Sequence, residues 1–211
     1  MTTASADVTL DQPPARKPKN IHPLWVRICH WINAFAILIM VMSGWRIYDA
    51  SPIWHFKFGN AISLGNWLGG AIMWHFAAMW LLVINGLFYV TLGFATGRFK
   101  NKLLPIRVRD VIHDLGAALT FRLSHEDLSV YNSIQKILYV GVLVLGVIVV
   151  LSGLSIWKSV QFQELTALFG GHDIARIVHF VCMAGIVLFV VIHVSVALLV
   201  PKSIRAMIVG K

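Results

Sequence analysis

Charge is what this chain has least of. Of its 211 residues 13% are Asp, Glu, Lys or Arg, and only nine are acidic. A soluble domain carries roughly 25% charged residues. Four runs hold no charged side chain at all: 28–45, 58–97, 137–157 and 177–201. Cysteine is nearly absent too. Cys29 and Cys182 are the two present, and the topology read below puts them near opposite membrane faces, which argues against a disulfide. No C-x-x-C-H occurs, so no c-type haem is attached. No Walker or G-x-G-x-x-G motif occurs, which argues against a nucleotide site. The opening "MTTASADVTLDQPPARKPKN" lacks the apolar core of a signal peptide. Its polar, Pro-rich composition predicts a disordered tail over residues 1–22. No internal repeat and no low-complexity domain stand out.

What remains is apolar: 58% of residues are hydrophobic. A membrane-crossing helix needs about 20 mostly apolar residues. The charge-free runs predict four of them, near 24–48, 66–93, 132–157 and 174–200. The fold expected is an all-α membrane protein, a four-transmembrane-helix bundle over 23–205 with a short tail at 206–211. The net charge of +9 does not point to nucleic acid, because the basic residues are sorted along the chain. Fourteen of the eighteen precede helix 1, lie between helices 2 and 3, or follow helix 4. The positive-inside rule then places both termini and the 2–3 connection in the cytoplasm of a bacterial inner membrane. The 1–2 and 3–4 connections face outward, into the periplasm of a Gram-negative cell.

Four of the nine histidines interrupt the apolar runs: His30, His75, His179 and His193. An ionisable ring in hydrocarbon is costly and usually faces a functional interior. One such ring could be a helix–helix hydrogen bond; four at matched depths are harder to explain that way. His179 and His193 are fourteen residues apart, ~40° short of four full helical turns and ~21 Å along the axis. They share a face and lie near opposite ends of one span. With the topology above, His30 pairs in depth with His193 on the inner side, and His75 with His179 on the outer side. Two imidazoles at each of two levels match the axial ligands of haem iron, whose equatorial nitrogens come from the porphyrin. A zinc or copper site would need three or four ligands at one point. The spacing therefore predicts two bis-histidine b haems. A haem-free transporter with a histidine proton relay is the bland alternative. Arg27 and Arg176 each precede a ligand by three residues, one turn nearer the surface, and are candidate partners of haem propionates, although an interfacial Arg can simply snorkel to lipid phosphate. Glycines 69, 70, 141, 146, 153 and 185 could admit a ring plane against a helix, and the G-x-x-x-G at Gly65–Gly69 could equally be helix packing.

The stretches "RICHW" (27–31), "WHF" (74–76), "YNSIQKILY" (131–139) and "RIVHF…VIHV" (176–194) resemble the bacterial di-haem cytochrome b subunits of membrane-bound hydrogenases and formate dehydrogenases. That family places one ligand on helix 1, one on helix 2 and two on helix 4. The resemblance covers about residues 22 to 205. It implies electron transfer between a periplasmic redox enzyme and membrane ubiquinone or menaquinone, as a subunit of an oxidoreductase complex. "GRFKNKLLPI" also looks like members found beside molybdopterin enzymes, which widens the expected partners to a molybdopterin oxidoreductase. Some small members act alone, passing electrons from superoxide to quinone, which is the alternative function. Partner-specific features are expected in "RIYDASPIWHFKFGNAISLGN".

A periplasmic donor would reach the outer level first, so electrons are expected to run from His75/His179 to His30/His193. A quinone site is expected at the inner level. The 2–3 connection is rich in titratable groups, and Asn132 and Gln135 share a face at the start of helix 3. An amide can donate to a quinone oxygen without bringing charge into lipid. Asn132 and Gln135 are therefore candidate quinone contacts, with His125 or Asp114 as proton donor. Capping of helix 3 by Asn132 and a lipid-headgroup role for Gln135 are the simpler readings.

Overall fold

The computed structural model describes residues 21–102, 109 and 133–210. Among these residues there is no β-strand. The chain runs α1 (Leu24–Ala50), a 3-10 turn (Asn60–Ile62), α2 (Leu68–Ala95), α3 (Arg98–Lys102), α4 (Ser133–Trp157), α5 (Gln163–Leu168), α6 (His172–Leu199) and α7 (Pro201–Val209). Helices α1, α2, α4 and α6 are long and apolar enough to cross a membrane. They match the four expected spans to within about two residues at each end.

The helices pack as two hairpins, α1 against α2 and α4 against α6. Many large apolar side chains stay exposed, Phe35, Trp80, Leu87, Phe88 and Leu198 among them. In water such a surface would be a liability; against acyl chains it is ordinary. Without a hydrophobic drive between helices in lipid, pairing relies on small residues and interhelical hydrogen bonds. Both devices are present. Ala36, Ala71, Ala78 and Ala175 are buried where helices approach. The buried Asn85 on α2 donates from Nδ2 to the Cys29 carbonyl at 2.9 Å and to Asn33 Oδ1 at 2.7 Å, both on α1. Cys29 and Cys182 are free and buried.

One end of the bundle gathers both ends of the described chain. The Ile21 N–H donates to the Gly210 carbonyl at 3.0 Å. Pro201 cannot continue the α6 hydrogen-bond ladder, so the chain breaks at Val200 and restarts as α7. The segment expected to trail off after residue 205 is thus helical as far as Val209. Gly210 closes it in the left-handed region, φ 89°, with its N–H on the Ala206 carbonyl. The last carbonyls of α7 take their donors from α1. The Arg27 guanidinium donates to the carbonyls of Met207 and Ile208, and Trp31 Nε1 donates to Met207. A cation at a helix C-terminus also complements the helix dipole. On the same face, Arg98 donates to His22 Nδ1 at 3.2 Å.

At the opposite face the α1–α2 connection is tied down. Arg46 donates to Asn60 Oδ1 and the Asn66 carbonyl, and Asp49 accepts from the Phe58 N–H at 2.8 Å. Gly65 (φ 110°) and Asn66 (φ 59°) turn the chain into α2. A Cβ on Gly65 would collide with the backbone of Ala71. The Gly65–Gly69 pair therefore serves this fold-back, with Trp67 lying over Gly69, and not the packing of two long helices. Arg176 donates to the Ser51 carbonyl and joins α6 to the end of α1.

The terminal-face clamp carries a pH signature. Burial, followed by the positive charges of Arg98 and Lys102, lowers the His22 pKa from 6.5 to about 4. Above pH 6.5 the ring is neutral folded or unfolded. Below it the unfolded chain binds the proton first, so stability falls as pH drops through the window from 6.5 to about 4. Thermal unfolding in detergent should show the wild type losing more stability over that window than His22→Gln. Equal losses would mean that the ring is not held as described.

Candidate functional site

The four span histidines meet in two pairs. His30 of α1 and His193 of α6 have ring centroids 6.0 Å apart. His75 of α2 and His179 of α6 lie 6.4 Å apart. The placement is symmetric along the helices. His30 is the seventh residue of α1 and His193 the seventh from the end of α6, both near the terminal face. His75 and His179 are each the eighth residue of their helix, near the opposite face. Each pair joins one hairpin to the other.

The pairs do not hydrogen-bond ring to ring. An imidazole nitrogen binds a metal at about 2.0–2.1 Å, so two rings in line on one ion, each about 1.1 Å from centroid to nitrogen, have centroids about 6 Å apart. Both observed separations agree with that spacing. Among the described residues no three His, Cys, Asp or Glu side chains converge to hold an ion. The donor set shown is two imidazoles per level, which suits a metal whose remaining ligands arrive with it.

The His75/His179 pair is held by hydroxyls. Ser43 Oγ lies 3.0 Å from His75 Nδ1, and Ser152 Oγ lies 3.2 Å from His179 Nδ1. The Val149 carbonyl is 2.9 Å from the same His179 nitrogen. A carbonyl can only accept, so His179 carries its proton on Nδ1 and keeps Nε2 free as a ligand. The His30/His193 pair is steadied by aromatic rings. Phe189 stacks on His193 at 5.5 Å and 13°, and Trp31 stands edge-on to His30 at 5.3 Å. The glycines differ in what lies beside them. A Cβ on Gly153 would press on His179, one on Gly185 would touch Leu145, and one on Gly141 or Gly146 would meet open space.

The residues and geometry now agree with the comparison to known proteins. Residues 21–210 match the family model described as prokaryotic cytochrome b561. The chain belongs to that family. The cytochrome is 50% identical over 190 residues to an Azospira oryzae protein named "Putative protein-methionine-sulfoxide reductase subunit YedZ1", covering 90% of this chain and 96% of that one. It is 22% identical over 214 residues to a Bradyrhizobium diazoefficiens protein named "Probable Ni/Fe-hydrogenase B-type cytochrome subunit", covering 93% and 85% respectively. A cytochrome b561 is a membrane electron-transfer protein with b-type haem, which the imidazole pairs fit.

Other expected site residues separate into three groups. Arg27 and Arg176 are one turn from His30 and His179, but in this cytochrome they also close the bundle ends on backbone carbonyls. Gln135 sits in the first turn of α4 and is partly buried. Asn132, His125 and Asp114 lie outside the described residues. Sequence reading missed Ser43, Ser152, Asn33 and Asn85. It also missed an aromatic cap in which Tyr48, Trp54, Phe56 and Phe58 of α1 and its connection pack around Phe180, the neighbour of His179. The alternation in "WHFKF" was its only signal.

Replacing single histidines should sort into two classes. His75→Leu or His179→Leu should remove one spectral haem species, and His30→Leu or His193→Leu the other. His55→Leu and His172→Leu should leave both. If the His179 and His193 variants deplete the same species in reductive titration, the pairing across α6 is wrong.

Proposed function

We propose that this cytochrome holds two b haems, one between His75 and His179 and one between His30 and His193, and carries electrons across a bacterial inner membrane between the quinone pool and a redox partner at the outer face. The two imidazole pairs at matched depth in opposite halves of the bundle are the observation that carries this reading. When bound, a b haem supplies a one-electron carrier; the chain supplies the rest. One imidazole from each hairpin would hold each haem, which would leave no room for a substrate at the metal and favour outer-sphere transfer. The hairpins shield each site from water with apolar side chains. Arg27 and Arg176 use only part of their five donors on carbonyls, so each has N–H groups left for a propionate.

The proposed orientation puts the terminal face in the cytoplasm. The clustering of basic residues before α1, between α2 and α4 and after α6 supports it. The aromatic-capped connection of residues 51–67 then faces the periplasm, where a hydrogenase, formate dehydrogenase or molybdopterin type of enzyme could dock. Both relatives are named as subunits, which supports a partner enzyme over a stand-alone oxidoreductase using superoxide. The more similar relative is named for a reductase. Sulfoxide reduction consumes two electrons and two protons, so such a partner would draw electrons outward from quinol. That is opposite to the donor-driven direction expected from the sequence. Ubiquinone or menaquinone would exchange protons at the inner level, with Asn132 and Gln135 as contacts and His125 or Asp114 as proton relay.

Pyridine haemochrome assay of the purified protein should return two b haems per chain; one or none would defeat the reading. In liposomes a soluble quinol analogue should reduce both haems within one sample. Gln135→Ala should slow that reduction about tenfold with haem content intact. Unchanged kinetics would move the quinone site away from α4. Cysteines placed at Trp54 and Phe162 should label with an impermeant thiol reagent in intact spheroplasts. Protection of both would reverse the orientation.

A further inference from the structure

The supports of the outer histidine pair repeat in the sequence. "VMSGWRIY" (41–48) on α1 and "VLSGLSIW" (150–157) on α4 share Val, Ser, Gly and Ile in register and end in an aromatic residue. This short repeat is invisible without the structure, because eight residues with four identities do not stand out in a chain this apolar. The structure gives both copies the same task. Ser43 Oγ bonds the Ile39 carbonyl at 2.6 Å, and Ser152 Oγ bonds the Ile148 carbonyl at 2.8 Å, each four residues back. Each carbonyl three residues back, Met40 or Val149, also faces the histidine of the neighbouring helix. Gly44 stands 3.5 Å, by a Cβ built on it, from His75 Cε1; the same construction on Gly153 comes 3.0 Å from His179 Cε1 and 3.3 Å from Nδ1.

We infer that these two Ser–Gly steps are the positioning elements of the outer site, fixing the tautomer and tilt of both its imidazoles and setting its electronic properties apart from those of the inner site. A serine hydroxyl has one proton. Each is directed at a carbonyl of its own helix, and carbonyls only accept. The serine oxygen therefore accepts from the imidazole, which must carry its proton on Nδ1. Nε2 is left unprotonated and able to bind iron. Donation from Nδ1–H makes each imidazole a stronger electron donor and favours the oxidised metal. Gly153 leaves space for the ring that Ser152 holds, whereas a Cβ on Gly44 would make ordinary contact with His75. Both serines are fully buried, so water does not compete. No hydrogen-bond partner of His30 or His193 lies among the described residues. The two levels are thus built differently, and the outer site is the one biased toward the oxidised state.

This inference rests on the di-haem reading, and the test separates the two. Redox titration with optical and low-spin EPR detection is run on wild type, Ser43→Ala, Ser152→Ala, the double variant and Ser43→Thr/Ser152→Thr. If the wild type binds no haem between His75 and His179, the di-haem reading fails. If it does, the double alanine variant should raise the midpoint of the outer haem alone. About a tenfold change in its reduced-to-oxidised ratio is expected, which is 59 mV for a one-electron couple. The inner haem, as internal control, should not move. The threonine variants, which keep the hydroxyl on the carbonyl four residues back, should stay near wild type. Gly153→Ala should lower outer-haem occupancy, whereas Gly44→Ala should keep it. An unchanged outer midpoint in the double variant, or equal shifts in both haems, would overturn the inference.

Discussion

Everything in this cytochrome depends on two pairs of imidazoles bridging two helix hairpins. Among the described residues, little else joins the hairpins within the apolar interior beyond ring contacts such as Phe76 with Trp157. Each is a closed unit, α1 with α2 and α4 with α6. Helices in lipid gain nothing from excluding water between them, so contact must come from close packing and polar groups. Across the gap the polar groups are His30 with His193 and His75 with His179, at separations too long for a direct hydrogen bond and suited to an intervening metal. A metal held by each pair would couple its own binding to assembly of the bundle. A group that binds only the assembled form stabilises that form by mass action.

The ends of the bundle answer to the same constraint. If the two hairpins are joined inside by ligands alone, the surface layers must fix their angle. At the terminal face Arg27 and Trp31 of α1 hold the last carbonyls of α7, which continues α6 past Pro201. At the other face Arg176 of α6 holds Ser51 at the end of α1, and Phe180 is gripped by the aromatic rings of the connection. An arginine one turn from a histidine can thus serve the backbone and an anionic group together, because a guanidinium has five donors in a fixed fork. The clamps place α6 against α1 at both levels, and α6 carries a histidine at each.

The two levels differ in how their rings are steadied. His75 and His179 meet hydroxyl and carbonyl oxygens; His30 and His193 meet Trp31 and Phe189. Polar acceptors on an imidazole and aromatic packing against one affect an attached metal differently. The polypeptide thus distinguishes the two histidine pairs by what each ring leans on.

The sequence by itself determined the class of fold and the four histidines that the spans carry. Charge-free runs of span length leave a helix as the only structure that satisfies its own backbone in lipid. A fourteen-residue spacing on one helix puts His179 and His193 on one face whatever the neighbours do. Those are local properties of a helix and are legible from periodicity. The tertiary structure alone decided what each ring leans on. Ser43 and Ser152 are ordinary residues for a membrane helix, and only the packing of α1 on α2 and of α4 on α6 brings them to a histidine. Asn85 likewise acquires its meaning from Asn33 and the Cys29 carbonyl, more than fifty residues away. Arg27 was legible as a group near His30, but its hold on Met207 and Ile208 depends on α7 folding back after Pro201. Such partners are set by the crossing of helices distant in sequence, and the apolar pattern that defines a span carries no information about which polar residue will meet which.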